Sequence, residues 1–277
     1  MKKLPLISCL MVTRCTPDRF QYFRESVFCF CRQDYPNKEL VIVHDLAPRP
    51  DQLQYLQFIK SLKRRDIRWI PTKDKLKLGG LRNRSVKKAK GEVFCTWDDD
   101  DIYHRRRLSA QFEVIKSGEY GAVVLTDVYH LFRVSGVVQW LDLQKKPPYR
   151  SHIGSLMVHK KFMGLYPATG KMAHRYEDMP HFGDLIKKTD VALMSDSPGL
   201  YVYCSHGGNV TGSNYIRWLF ARPLAKPVNF LKRNKKRILR ELSELPISDP
   251  ILRIQSISRL AFIAVDDSGK KSRKVMP

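Results

Sequence analysis

The sequence predicts an α/β fold: a mostly parallel sheet flanked by helices, a smaller antiparallel portion after it, and a basic helical C-terminal extension. Three observations predict it. Between residues 6 and 97, short continuous apolar runs alternate with stretches whose apolar residues recur at spacings of three and four. Beyond Asp101 strand and helix patterns mix, as in an antiparallel addition. After about Trp218 the composition turns basic and proline-marked.

Residues 6–12 form a continuous apolar run, as expected of a strand buried on both faces. Thr16-Pro17-Asp18 predicts a helix start with a hydroxyl cap, a proline in the first turn and an acid near the positive end. Phe20, Phe23, Val27 and Phe30 then make one stripe for a sheet to receive. A turn at 34–37 leads to a second strand at 39–43, a helix over about 51–63 and a short strand at 67–70. Gly79-Gly80 opens another helix, Gly91 closes it, and 93–97 is the fourth strand. Farther on, 104–117 reads as helix, 122–126 as strand and 128–143 as a hairpin around Ser135-Gly136. A short helix at 179–188 carries the apolar face Phe182, Leu185 and Ile186, and 201–204 is a late strand. These elements place one domain at 1–218, with halves 1–101 and 102–218, before an extension at 219–277.

Composition narrows the function classes. With 43% hydrophobic and 10% aromatic residues among 277, the chain has enough apolar surface for one sizeable core. No run approaches the roughly 18 apolar residues that span a bilayer. Lys2-Lys3 ahead of the run 4–12 imitates a secretory leader, but the run stops at Thr13-Arg14 and reads as the first buried strand. Cysteines 9, 15, 29, 31, 95 and 204 lack paired metal spacing and are expected as small core residues in a reducing, cytoplasmic setting. Fifty Lys and Arg against 27 Asp and Glu leave +23. That field favours an anionic partner: nucleic acid, an anionic membrane face or a phosphorylated substrate.

Against this basic background, Asp98-Asp99-Asp100-Asp101 follows directly on the fourth strand. Four adjacent carboxylates repel one another and call for a compensating cation or full solvation. Ligands of open parallel sheets sit beyond the carboxyl ends of the strands, where this cluster falls. Mg2+ or Mn2+ binds one or two carboxylates together with substrate phosphate oxygens, so the cluster predicts a metal–diphosphate site.

Five segments now carry a resemblance: ISCLMVT, SVFCFCRQDYPNKELVIVHD, GGLRNRSVKKAKGEVFCTWDDDDIYHRRRLSAQ, RYEDMPHFGDL and YVYCSHGGN. In this order, over about residues 4–209, they resemble the family-2 glycosyltransferases of the GT-A fold. The resemblance implies a nucleotide-sugar donor, UDP favoured, an acceptor hydroxyl on a saccharide or lipid-linked saccharide, and inversion by a single in-line displacement. It implies that Thr13 and Asp45 contact the nucleotide. The family's Asp-Gly-Ser after that acid is Asp45-Leu46-Ala47 here. Arg82 matches a position near the diphosphate, where a guanidinium suits phosphate oxygens. Asp98 is implied at the ribose, with Asp99 beside it on the donor side; Asp100 and His206 are implied at the metal, Mn2+ or Mg2+. Asp178 is implied as the general base, with Glu177 orienting the acceptor or its neighbours.

The extension holds fourteen Lys or Arg against five acids, with Phe230, Leu231, Ile238, Leu239, Leu242 and Leu245 as a partial apolar stripe. Two readings stay open. It is a helix lying on an anionic membrane, which would place the protein peripherally on the inner face, or a helix packed on the domain with its bases in water. The rival function is metal-dependent nucleic-acid processing, which uses the aspartates and the charge but leaves the Gly-Gly-Leu-Arg-Asn helix and Glu177-Asp178 without a role. No nucleic acid partner is therefore expected.

Overall fold

The computed structural model describes residues 4–45, 49–133, 136–145, 149–206, 224–246, 251–257 and 260–266. The parallel half follows the apolar runs. Strands β1 (Ile7–Thr13), β2 (Lys38–His44), β3 (Ile67–Ile70) and β4 (Val93–Thr96) are connected through helices α1 (Phe20–Cys31), α2 (Arg49–Ser61) and α3 (Leu78–Lys88). β1 lies centrally, parallel to β2 with Leu10 opposite Val41 and parallel to β4 with Cys9 opposite Cys95. Phe23, Val27 and Phe30 of the predicted α1 stripe are fully buried, with Phe23 against Tyr55 and Trp69 and Phe30 edge-on to Trp97.

One detail of the α1 entry differs from the sequence reading. Thr16 makes no side-chain cap bond; its carbonyl instead accepts from the Arg19 N–H at 3.1 Å and from the Tyr55 hydroxyl at 2.7 Å. Pro17–Arg19 therefore forms a 3-10 turn ahead of the α-helix. That turn presents Arg19 to the carboxyl edge of the sheet.

The second half comprises β5 (Ile102–Tyr103), α4 (Arg107–Ile115), β6 (Ala122–Leu125), β7 (Asp127–Phe132), β8 (Val137–Asp142), β9 (His152–His159), α5 (Asp178–Leu185), β10 (Val191–Met194) and β11 (Tyr201–Ser205). The main sheet has the order β10-β6-β9-β4-β1-β2-β3, and β9 alone runs against its neighbours. β7 and β8 make the predicted hairpin, with the Ser135 position at its tip outside the described residues. A second sheet, completed by β12 (Ile251–Ile257) and β13 (Leu260–Asp266), has the order β12-β13-β8-β7-β11-β5. The fold is the mixed α/β arrangement the sequence predicts.

The extension contains helices α6 (Val228–Arg233) and α7 (Lys235–Ser243), then an antiparallel pair, β12 (Ile251–Ile257) and β13 (Leu260–Asp266). Among the described residues it is thus helical only in its first part. β13 pairs with β8, Ile263 lying opposite Val138. The predicted junction at 218/219 lies outside the described residues.

Candidate active site

The site grows from the carboxyl ends of β1, β2 and β4. Thr13 ends β1, and its hydroxyl donates to Asp99 Oδ2 at 2.6 Å. Its carbonyl accepts the Asp45 N–H at 2.9 Å, which brings Asp45 beside it just past β2. The chain then turns sharply after β4. Ser26 Oγ and the Tyr103 hydroxyl both donate to the Asp98 carbonyl, at 2.8 and 3.0 Å, and fix the turn's backbone.

The four aspartates diverge in role. Asp98 Oδ1 accepts from Arg82 at 3.0 Å. Asp99 takes Thr13 on one oxygen and Arg19, at 2.5 Å, on the other. Asp100 Oδ2 lies 2.9 Å from His206 Nε2 and 3.1 Å from the Arg19 guanidinium. Asp101 turns away from solvent, accepting the Tyr201 hydroxyl and, at 2.7 Å, the Cys204 N–H. Burial, reinforced by Asp100 and Asp98, pushes Asp101 well above the usual carboxylate range. Burial also lifts Asp98 and Asp99. Burial alone would lift Asp100 too, yet the contacts from His206 and Arg19 hold it below its ordinary value.

Arg82 joins this turn to the acceptor side. Its Nε donates to Glu177 Oε1 at 2.7 Å while its other arm holds Asp98. α3 can approach so closely because residue 79 is glycine: a Cβ there would lie 1.9 Å from the Pro167 carbonyl oxygen. Asn83 completes the junction, donating to the Tyr166 carbonyl at 2.9 Å and accepting its N–H at 2.7 Å. The Tyr166 ring stacks on His181 with centroids 4.0 Å apart. Asp178, half-buried at the start of α5, is pushed up to about 6 by burial and by the neighbouring Glu177 charge.

The structure therefore gathers the sequence-predicted residues into two linked groups. Thr13, Asp99, Asp100 and His206 are connected through hydrogen bonds and ion pairs, by way of Arg19, with Asp45 alongside and Asp98 next to Asp99 in the chain. Arg82 connects them to Glu177, next to Asp178. Glu177, only 3% exposed, points at Arg82. The two glycines after His206 lie outside the described residues.

Sequence reasoning missed Arg19, Tyr22 and Arg133. Arg133 lies 4.4 Å from the Tyr22 ring centroid, donates to Glu25 at 2.6 Å and to the Asp100 carbonyl at 3.3 Å; Tyr22 lies 4.6 Å from His206, centroid to centroid. A signal for Arg19 was present: four adjacent acids at a sheet edge require a cation, and Arg19 follows the first strand closely.

Among the described residues no three His, Cys, Asp or Glu side chains converge as a metal cage. Asp100 Oδ2 and His206 Nε2 nevertheless converge on one point, already faced by a cation, Arg19. One carboxylate and one imidazole fit Mg2+ or Mn2+ whose remaining ligands come from phosphate and water.

Known proteins resemble this chain in sequence and in fold. Residues 14–162, just over half of the chain, match the family described as Glycosyl transferase family 2. A glycosyl transferase named for colanic acid biosynthesis, WcaA of Escherichia coli (strain K12), is 35% identical over 109 residues, 39% of this chain and 37% of that protein. The amylovoran biosynthesis glycosyltransferase AmsB of Erwinia amylovora is 27% identical over 88 residues, 32% of this chain and 29% of its own length. The chain thus spans well under half the length of these relatives. Among solved structures, S. aureus TarS 1–349 in complex with UDP-GlcNAc superposes with a TM-score of 0.57 at 17% identity, covering 74% of this chain and 60% of that one. The mannosyltransferase PcManGT from Pyrobaculum calidifontis, in complex with GDP-Man and Mn2+, gives 0.56 at 14% identity, covering 86% and 65%. These two likenesses concern the GT-A fold.

Proposed function

The chain belongs to glycosyl transferase family 2, and from that premise we propose that it transfers a sugar from a nucleoside diphosphate sugar to a saccharide or lipid-linked saccharide hydroxyl in cell-surface polysaccharide assembly. The observation that carries this reading is the Arg82 bridge. It joins Asp98 of the aspartate turn to Glu177, the chain neighbour of Asp178, and so ties the candidate base to a turn suited to a diphosphate.

Thr13 and Asp45 contact the nucleotide and Asp98 the ribose, with Asp99 holding Thr13 in place. Asp100 and His206 hold the divalent ion, which when bound neutralises charge developing on the leaving diphosphate. Asp178 accepts the proton of the attacking hydroxyl; a base poised near 6 is largely ionised at neutral pH yet still basic enough to act. One in-line displacement inverts the anomeric centre. UDP is the favoured nucleotide; TarS is solved with UDP-GlcNAc and PcManGT with GDP-Man, so both nucleotides belong in the test. Calorimetric titration with UDP- and GDP-sugars plus Mn2+ should give saturable binding for one nucleotide. Asp100→Ala should weaken that binding at least about tenfold and remove most of its metal dependence. A wild-type protein that binds neither sugar nucleotide would sink the proposal.

The packing of the extension supports one reading of its role. Leu231, Ile238, Leu242 and Leu245 are buried in the main core, and Phe230 lies edge-on to Trp140. Those side chains are therefore not available to enter a bilayer. Lys232, Arg233, Lys235, Lys236 and Arg240 remain exposed, a surface for electrostatic attachment to an anionic membrane. No helix among the described residues is long and apolar enough to cross a membrane. Changing Lys232, Lys235, Lys236 and Arg240 together to Gln should abolish co-flotation with phosphatidylglycerol vesicles at low salt. Flotation unaffected by that change would remove the tail from the account.

A further inference from the structure

Arg19 lies on the two side chains proposed to hold the metal. One guanidinium nitrogen is 3.1 Å from Asp100 Oδ2 and 2.5 Å from Asp99 Oδ1; the other is 3.4 Å from His206 Nε2. The side chain is 11% exposed, and its base is fixed by the Pro17–Arg19 turn, where the Arg19 N–H donates to the Thr16 carbonyl. It faces the same Oδ2 and Nε2 atoms that a divalent ion would require. Both atoms would be direct ligands of the ion. A guanidinium left in its present position would then be a like charge almost in contact with it.

We propose that Arg19 is a resident counter-cation of the nucleotide-free site, competing with the divalent ion for Asp100 and His206 until a nucleotide diphosphate draws the guanidinium away. This rests on the metal reading given above. The physical sequence is simple. Without nucleotide, Arg19 partly satisfies the acids, so an incoming ion must displace an ion pair as well as shed water. With nucleotide present, the diphosphate oxygens offer the guanidinium a second, bidentate partner. Arg19 can exchange acids for phosphates by turning about its long side chain while its backbone stays in the turn. Metal and nucleotide then tighten each other's binding, and because such coupling is reciprocal it is readable from the metal alone. Asp99 keeps the Thr13 hydroxyl when Arg19 leaves, so the turn retains an anchor.

The test is a Mn2+ titration followed by the electron paramagnetic resonance signal of free Mn2+, on full-length protein without donor sugar, with and without UDP or GDP. In the wild type, nucleotide should tighten Mn2+ binding about tenfold or more. Arg19→Gln should bind Mn2+ alone at least about fivefold more tightly than wild type, and the tightening by nucleotide should shrink by a similar factor. Arg19→Met should behave likewise, which guards against one variant failing to fold; Arg19→Lys, keeping the charge, should stay near wild type. Thermal unfolding checks that the variants are folded. If folded Gln and Met variants bind Mn2+ alone no more tightly than wild type, the competition does not exist. Failure of the wild type to bind Mn2+ under any condition would instead overturn the metal reading itself.

Discussion

Asp178→Asn is expected to reduce sugar transfer by about 10²- to 10⁴-fold, the usual contribution of a positioned base, while leaving donor affinity within about twofold. It is also expected to stabilise the protein at neutral pH. Burial and the adjacent Glu177 raise the Asp178 carboxyl to about 6 in the fold. A carboxyl raised above its unfolded value, about 3.9, favours folding in its protonated form. That contribution is complete below about pH 4 and is lost as pH rises through 6, so at pH 7.5 the ionised side chain is a cost. Asparagine removes the charge, and the gain is at most about 3 kcal/mol. Melting temperatures should therefore rise by several degrees at pH 7.5 and converge with wild type near pH 4. Transfer by the wild type should fall below an apparent pKa near 6. A variant that keeps transfer, or loses donor binding in proportion, would reassign the base.

Arg82→Ala is expected to have the largest effect on stability. The guanidinium holds Asp98 at 3.0 Å and Glu177 at 2.7 Å, and its own ionised form is strengthened by both although burial opposes it. Removing one partner of a buried ion pair leaves an uncompensated charge and costs about 3 to 5 kcal/mol. Because the Asp98 side chain stays 26% exposed, about 3 kcal/mol is the expected loss in urea unfolding at pH 7.5. The deficit should shrink at acidic pH, where protonation relieves the stranded Asp98, a carboxyl that burial already lifts. Arg82→Lys should recover part of it, since an ammonium keeps the charge but lacks the planar fork that spans both acids. An alanine variant within about 1 kcal/mol of wild type would mean that the bridge does not organise the site.

The sequence carried the parallel half because its strands are continuous apolar runs and α1 has one clean stripe. Phe23, Val27 and Phe30 land in the core as their spacing predicts. It carried the aspartate turn because four acids in a chain of +23 are conspicuous. Partners distant in sequence were not legible. Arg82 meets Glu177 across 95 positions, and Arg19 nears His206 across 187; no local pattern encodes either approach. The Thr16 cap failed for a related reason: tertiary contact with Tyr55 holds the carbonyl while the hydroxyl makes no cap bond, an outcome local propensity does not anticipate. The strand pair at 251–266 lies beyond the 230–245 stripe that suggested helix, and only two bases, Arg253 and Arg259, fall in its sequence.

Asp101 has a consequence for anyone recombining this chain with its relatives. Through Tyr201 and Cys204 it fastens the turn after β4 to β11, and residue 206 follows that strand directly. A crossover between the two stretches would trade one half of a clasp for a mismatched counterpart. Residues 96–103 and 201–206 must therefore travel as a single cassette, although nearly a hundred positions part them.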